Sequence, residues 1–483
     1  MSSALPRFTQ QSPRQFPLLA LGVWIALYAI LLWIRLALNG EHACGVWRWR
    51  ICFRTCLAAD DLDRSMHLFD LAAILISASA LFSWINYRWL KLPNTLGVML
   101  IALVLSLGLA LLRRAGIDFA SDVETVLAAI DFDEALLHGM LSFLLFAGAL
   151  HVDLDSLRQH KWVIGSLATI GVLLSTTIVG VGSWLVFDLM GIGLPLIWCL
   201  VFGALISPTD PIAVLATLKQ LGAPKPLEVK IAGESLFNDG VGVVVFIALL
   251  GIATGSAPAS VEGIGKLFLM EAVGGVAFGM LLGYVGYRML KSVDRFDVEI
   301  LLSLALVMGG YALAFRLHVS APIAIVVAGL FIGNQGRSFA MSDATRERLD
   351  DFWELIDEIL NAVLFLLIGV EVLVLTFHGQ YLLAGALLIP VVLLARFVSV
   401  GVPIALFRRV QDFPTRTVRL LTWGGLRGGI SVALALSLPA SPIREQLLMA
   451  TYVVVLFSLL VQGTTIGRLL PEPGPGDLEV AKS

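Results

Sequence analysis

The strongest constraint on this chain is a series of thirteen apolar stretches between Leu68 and Leu470, each bounded by Gly, Pro or charge. They are Leu68–Tyr87, Leu92–Leu112, Leu136–His151, Trp162–Phe187, Pro195–Leu218, Ile231–Ile252, Leu267–Met289, Val298–Phe315, Ala321–Gln335, Glu354–Phe377, Tyr381–Phe407, Thr415–Leu438 and Gln446–Leu470. Most reach the roughly 18–20 residues that a helix needs to cross the hydrocarbon of a bilayer. The expected fold class is an all-α polytopic membrane protein with about 13 transmembrane helices. Charged residues make up 14% of the chain, against about 25% in soluble chains, which excludes a water-soluble enzyme. A net charge of −3 gives no sign of a nucleic-acid partner. The surrounding partner is lipid.

No long polar insert divides the stretches, so residues 66–470 read as one membrane domain, followed by a short tail, 471–483. With Arg288, Arg416 and Arg419 included, alternate loops hold seventeen Lys and Arg against five in the other set. The richer set is expected to be cytoplasmic, together with the C-terminus. The N-terminal residues fit this bias poorly. Phe16–Leu38 is apolar enough for a fourteenth helix, but it would place Arg48, Arg50, Arg54 and Arg64 outside. Residues 1–65 are therefore read as an extension, with Met66 the expected true start.

Charge inside a span is costly, about 2.5–3.5 kcal/mol per residue on insertion scales, so the charged residues within spans carry the information. In the fifth stretch, Ser207-Pro208-Thr209-Asp210-Pro211 sets two prolines three apart. Each removes a backbone donor and clashes with the preceding turn, so the helix should break around Thr209–Asp210. The sixth reads Gly233-Glu234-Ser235-Leu236-Phe237-Asn238-Asp239-Gly240-Val241-Gly242. Helical spacing puts Ser235, Asp239 and Gly242 on one face. Asp239 lies roughly 16 Å in from Glu228 at 1.5 Å per residue, near the middle of the membrane. The eleventh stretch buries Arg396, for which Glu234 is the expected ion-pair partner. The twelfth, Trp423-Gly424-Gly425-Leu426-Arg427-Gly428-Gly429, has four glycines in six residues and should be a second broken span.

Two interrupted spans, one in each half, point to inverted repeats and a transport site where the broken helices cross. Asp210 is expected to face exposed helix N-terminal N–H groups and Arg427 C-terminal carbonyls, each compensating half-helix charge. Bland readings exist for each: a proline kink capped by Asp210, or glycine-mediated helix packing around Arg427. Asp357 and Glu358, near the cytoplasmic entrance of the tenth stretch, could funnel cations or simply be solvated. Glu371, at its outer end, reads as interfacial or helix-pairing.

A mid-membrane carboxylate among hydroxyls and freed carbonyls is a hard-oxygen site suited to Na⁺ or Li⁺. It can also hold a proton, and the two occupants exclude each other. If only the loaded forms reorient, coupled exchange of cation for proton follows. One carboxylate moves one charge in each direction, so exchange should be electroneutral. A channel would need a continuous polar lining, whereas here the polar residues gather at one depth; an intramembrane hydrolase would need a nucleophile and base or paired aspartates, but no His accompanies a serine, and Asp210 and Asp239 have another explanation.

Ser207-Pro-Thr-Asp-Pro-Ile-Ala-Val, Gly233-Glu-Ser-Leu-Phe-Asn-Asp-Gly, Trp423-Gly-Gly-Leu-Arg-Gly and Phe352-Trp-Glu-Leu-Ile-Asp-Glu-Ile-Leu-Asn-Ala-Val-Leu-Phe together resemble the monovalent cation:proton antiporter-1 family. Its members are bacterial sodium/proton antiporters and relatives of animal sodium/proton exchangers. The resemblance runs from about Met66 to Leu470 and implies thirteen spans, a six-helix core, a dimerisation domain, homodimers in the plasma membrane and elevator-like alternation. It implies no cofactor beyond the transported Na⁺ (or Li⁺ or K⁺) and H⁺. By the same resemblance Asp239 binds the ion, with Thr209 and Ser235 supplying oxygens to Na⁺. Asn238 orients the unwound segment, Asp210 stands beside the site, and Glu234 pairs with Arg396. The Asn238–Asp239 pair marks the electroneutral members. Ala147 departs from the pattern: many relatives carry a glutamate there, so the site here is expected to lose one oxygen ligand or replace it with water.

Overall fold

The computed structural model describes residues 59–114, 139–211, 214–215, 225–256, 261–336, 341–373, 378–408, 413 and 416–469. Each of the thirteen apolar stretches contains helix, and the described residues form no strand. In chain order the helices are α1 (Ala59–Ile85), α2 (Asn94–Arg114), α3 (Leu141–Leu150), α4 (Leu154–Leu189, with a π-helical turn at Leu167–Gly171) and α5 (Leu196–Ile206). There follow α6 (Lys225–Ala253), α7 (Val261–Leu290), α8 (Phe296–Arg316), α9 (Ala321–Phe331) and α10 (Asp343–Glu371). The last are α11 (Gly379–Phe407), α12 (Thr417–Trp423), α13 (Gly429–Leu436) and α14 (Pro442–Phe457). The chain divides into two compact units, and everything described below lies in the larger, Ser79–Leu107 with Asp131–Ser483. Phe16–Leu38 and the tail 471–483 lie outside the described residues.

By length and composition, seven of the described helical runs can cross a bilayer: α2, α4, α6, most of α7, α8, α11 and the run from α14 to Leu469. Helices α3, α5 and α9 are apolar but shorter. Several helices begin earlier than their apolar stretches, and in two of them a capping side chain sets the start. Helix α4 starts at Leu154 because Asp153 caps it, accepting from the N–H groups of Asp155 and Ser156. Helix α10 starts at Asp343 behind the Ser342 cap, and its first turns carry Arg346, Glu347, Arg348, Asp350 and Asp351. A search for apolar runs passes over such amphipathic turns.

Small residues bring the helices close. A Cβ added at Gly203 would overlap the Thr176 carbonyl, so α5 lies backbone to backbone on α4. A separate apolar cluster joins α3, α8, α9 and α10 around Trp353, which is fully buried. Trp353 packs on Phe146 with ring centroids 4.7 Å apart and donates from Nε1 to Ser303 Oγ at 3.0 Å. That hydrogen bond satisfies the indole's only donor inside an apolar core.

Candidate functional site

Helix α5 stops at Ile206, where the prolines require it to stop. Ser207 Oγ donates back to the Gly203 carbonyl at 2.6 Å and lies 2.9 Å from Ser175 Oγ of α4, so the last turn is tied down by hydroxyls. Beyond it, Pro208–Asp210 leaves the helix. The second interruption, Gly424–Gly428, separates α12 from α13. The two interruptions meet directly: the Asp210 N–H donates to the Leu426 carbonyl at 2.8 Å, an isolated antiparallel bridge. Unwound backbone at this depth needs such a partner, because lipid supplies none.

The half-helix ends are compensated by side chains of opposite sign. Arg427, 1% exposed, directs Nη1 to the carbonyls of Ser207 and Pro208, where α5 ends; the Pro208 contact is 3.0 Å. Its backbone N–H donates to Ser458 Oγ at 2.9 Å. A Cβ at Gly428 would overlap the Asp210 carboxyl group, so that group lies against the residue capping the N-terminus of α13. A cation at carbonyl ends and an anion at N–H ends both oppose the local helix charge, equivalent to roughly half an elementary charge at each end.

Helix α6 brings the oxygen donors. Asn238 Nδ2 donates to Thr209 Oγ1 at 2.8 Å, and Thr209 Oγ1 lies 3.2 Å from Ser235 Oγ. Asn238 is therefore the clamp that fixes the unwound segment on α6. Gly242 permits the approach, since a Cβ there would meet the Pro208 ring. Asp239 follows Asn238 and stands one turn beyond Ser235. It is 6% exposed, its Oδ1 has no hydrogen-bond partner, and it lies within electrostatic range of Asp210. A buried carboxylate oxygen without a donor, one turn from the Ser235 hydroxyl that meets Thr209, is a place for a cation or a proton.

Glu234 and Arg396 are paired, Nη1 to Oε1 at 2.5 Å, with both side chains buried. Arg396 Nε also donates to the Leu421 carbonyl of α12 at 3.3 Å. Gly425 makes room for the guanidinium, because a Cβ there would overlap it. The structure thus gathers Thr209, Asp210, Ser235, Asn238, Asp239 and Arg427 at the crossing, with the Glu234–Arg396 pair bracing α6 against α11 and α12. Ala147 is buried in α3, and its neighbour Gly148 meets Leu236 of α6; position 147 offers only a methyl group.

Sequence reading gave no role to Ser175, Ser207, Asn361, Ser431 or Ser458. Asn361 and Ser431 are both 1% exposed. An amide inside Asn361-Ala-Val-Leu-Phe-Leu-Leu was the available signal for the first. The serines, common in membrane helices as back-bonding residues, gave none.

A profile of the family described as "Sodium/hydrogen exchanger, transmembrane" matches residues 76–471. The chain is 53% identical to the Na(+)/H(+) antiporter NhaP of Pseudomonas aeruginosa over 409 residues, covering 83% of this chain and 96% of that one. It is 34% identical to the Na(+)/H(+) antiporter NhaH of Halobacillus dabanensis, covering 85% and 98%. The structure of the sodium proton antiporter MjNhaP1 from Methanocaldococcus jannaschii superposes with a TM-score of 0.64 at 18% identity, over 84% of this chain and 98% of that one. That likeness supports the same multi-span helical fold.

Proposed function

The chain belongs to the transmembrane sodium/hydrogen exchanger family, and from that premise we propose that it exchanges Na⁺ for H⁺ across the membrane, with Asp239 as the shared site of both ions. The observation that carries this reading is the Asp239 carboxylate: buried, with Oδ1 unpartnered, beside hydroxyls held in place by Asn238. Thr209 Oγ1 accepts from Asn238 and keeps a second lone pair, which can turn to a cation. Na⁺ shed of part of its water takes oxygens from Asp239, Thr209 and Ser235, with water completing the shell where Ala147 supplies nothing. When the cation leaves, a proton takes its place on the Asp239 carboxyl.

Coupling follows from the cost of an uncompensated charge in a medium of low dielectric. With either guest aboard the site is neutral and can pass between inward- and outward-facing forms; bare, it stays where it is. One guest leaves for each that enters, so exchange is one for one and electroneutral. The Glu234–Arg396 and Arg427–carbonyl contacts hold the crossing rigid and take no part in the ion exchange. The Lys and Arg bias of the loops supports a cytoplasmic C-terminus and a cytoplasmic start of α10; the protein works as a homodimer in the plasma membrane, and no cofactor enters the cycle.

Purified protein in proteoliposomes tests the reading. Opposed Na⁺ and proton gradients should drive saturable exchange, and Asp239→Asn should abolish it while leaving the elution profile and melting curve of a folded protein. Exchange that persists in a folded Asp239→Asn protein would falsify the assignment.

A further inference from the structure

The second interruption is held along its length by one helix. The run that continues α14 to Leu469 is wound as a π turn over Ser458–Gln462, closed by the Gly463 N–H on the Ser458 carbonyl. Such turns are rare and occur frequently at functional sites. Ser458 Oγ accepts from the Arg427 N–H at 2.9 Å, on the α13 flank of the interruption. Gln462 Nε2 donates to the Trp423 carbonyl at 3.0 Å, on the α12 flank. Just beyond it, Thr465 Oγ1 accepts from the Trp423 indole Nε1 at 2.9 Å. Ser458 is 1% exposed and Gln462 4%, so bulk water does not compete for either contact. The first interruption has a matching arrangement. Asn238, on the helix after that broken span, accepts from the Thr209 N–H at 3.4 Å and donates to its hydroxyl at 2.8 Å. Each broken span is thus gripped by the helix that comes after it, a correspondence that two related halves would share.

We propose that Ser458 and Gln462 are positioning residues for cation binding, the counterpart of Asn238 at the second interruption; this rests on the exchange reading above. The route runs through Arg427. Its N–H is fixed by Ser458, and its Nη1 donates to the carbonyls of Ser207 and Pro208. The Pro208 carbonyl belongs to the peptide that leads into Thr209, whose hydroxyl Asn238 holds beside Ser235. Thr209 is therefore fixed from two sides, by Asn238 on its side chain and by Arg427 on the peptide before it. Gln462 acts on the other flank, where the Trp423 carbonyl is one of the groups that the end of α12 leaves without a helical partner. With Trp423 and Arg427 both tied to this helix, the Leu426 carbonyl between them stays where the Asp210 N–H reaches it at 2.8 Å. Loss of either tie strands a backbone group that lipid cannot satisfy, and the segment must shift to find another partner. The Thr209 oxygen then leaves the geometry a cation needs, while the Asp239 carboxyl, carried by α6, still takes a proton.

Exchange in proteoliposomes at constant pH, with melting of the same preparations, decides it. Apparent KM for Na⁺ and maximal rate are measured for wild type, Ser458→Ala, Gln462→Met, Ser303→Ala and Asp239→Asn. Ser458→Ala and Gln462→Met should each raise the apparent KM by about three- to tenfold. That is less than the roughly 10–100-fold typical where an outer partner bonds a metal ligand directly, because both residues act through backbone. The maximal rate should stay within about twofold of wild type, the split that marks lost binding of the ion rather than lost turnover. Ser303→Ala supplies the contrast: it removes the buried partner of Trp353, in the separate apolar cluster, and should lower the melting temperature with KM unchanged. A wild-type KM in folded Ser458→Ala or Gln462→Met would overturn the proposal, as would a maximal rate that falls at constant KM. An equal KM rise in Ser303→Ala would do the same, since any loosening of the fold would then suffice. Either variant tests the clamp if the other does not fold. Loss of exchange in Asp239→Asn separates these outcomes from failure of the parent reading, which would show as exchange that survives there.

Discussion

Glu234 and Arg396 sit where a single charge would be intolerable, and each is tolerable because of the other. Removing one partner of such a pair leaves the second buried and unpaired, which costs about 3–5 kcal/mol. Glu234→Ala should lower the melting temperature sharply. Arg396→Ala should do the same, with an added loss because the guanidinium also serves the Leu421 carbonyl. The double substitution should be less destabilised than the sum of the singles, since the second change removes the charge that the first had stranded. Melting shifts that add strictly would show that the two side chains do not depend on each other. Gly425 belongs to the same unit: Gly425→Ala places a methyl group where the guanidinium lies. Its cost should largely disappear in an Arg396→Ala background, a comparison the same melts provide. The pair was legible from sequence because both residues were charges without an exit. The place of Gly425 was not, since a glycine among four glycines gives no sign of which neighbour needs its space.

At the scale of elements, the crossing depends on how close two chains of unlike helices can come. Gly428→Ala would drive a methyl group into the Asp210 carboxyl group, pushing it off the N-terminus of α13. The expected result is loss of most exchange activity, with a milder loss of stability than at Glu234, read from transport and melting of one preparation. Retention of full exchange would mean that the Asp210 contact with α13 is dispensable. The start of α4 gives a second, independent case. The Asp153 carboxylate is held below the usual range of 3.8 by hydrogen bonds from Ser156 and the N–H of Asp155. A carboxylate with a depressed value stabilises the fold above its unfolded value and loses that contribution as pH falls through the folded one. Asp153→Ala should therefore destabilise the first turn of α4 at neutral pH, by an amount in the range of about 0.5–2 kcal/mol for an N-cap. The difference from wild type should close below pH 3.8, as seen in amide exchange at Ser156 and its neighbours. The breaks in the fifth and twelfth stretches were readable because Pro208, Pro211 and the glycine run forbid a continuous helix. What sequence could not supply was their junction: an Asp210–Leu426 hydrogen bond joins residues more than two hundred positions apart. The charged first turns of α10 were missed for the opposite reason, a periodic but polar face that no apolar count detects.

Across the whole molecule, stoichiometry follows from which charges are already balanced. Arg427 is matched by the carbonyls of Ser207 and Pro208, Asp210 by the end of α13, and Glu234 by Arg396. On the exchange reading proposed above, Asp239 is left among these charges at the crossing as the carboxylate that takes up and releases each ion, and one such group can trade only one Na⁺ for one H⁺. Exchange should then carry no net current, and its equilibrium should not respond to membrane potential. The alternative is sharply different in size. If two protons moved for each Na⁺, one elementary charge would cross per cycle, worth about 2.3 kcal/mol per 100 mV. At about 1.4 kcal/mol per tenfold, that shifts the equilibrium Na⁺ ratio roughly fortyfold. Vesicles clamped to zero and to a large negative potential with a potassium ionophore, using choline as the counter-ion, should reach the same Na⁺ gradient for a given proton gradient. A shift of even tenfold between the two clamps would require a second titrating group in the transport cycle, and among the residues at the crossing the next to examine would be Asp210.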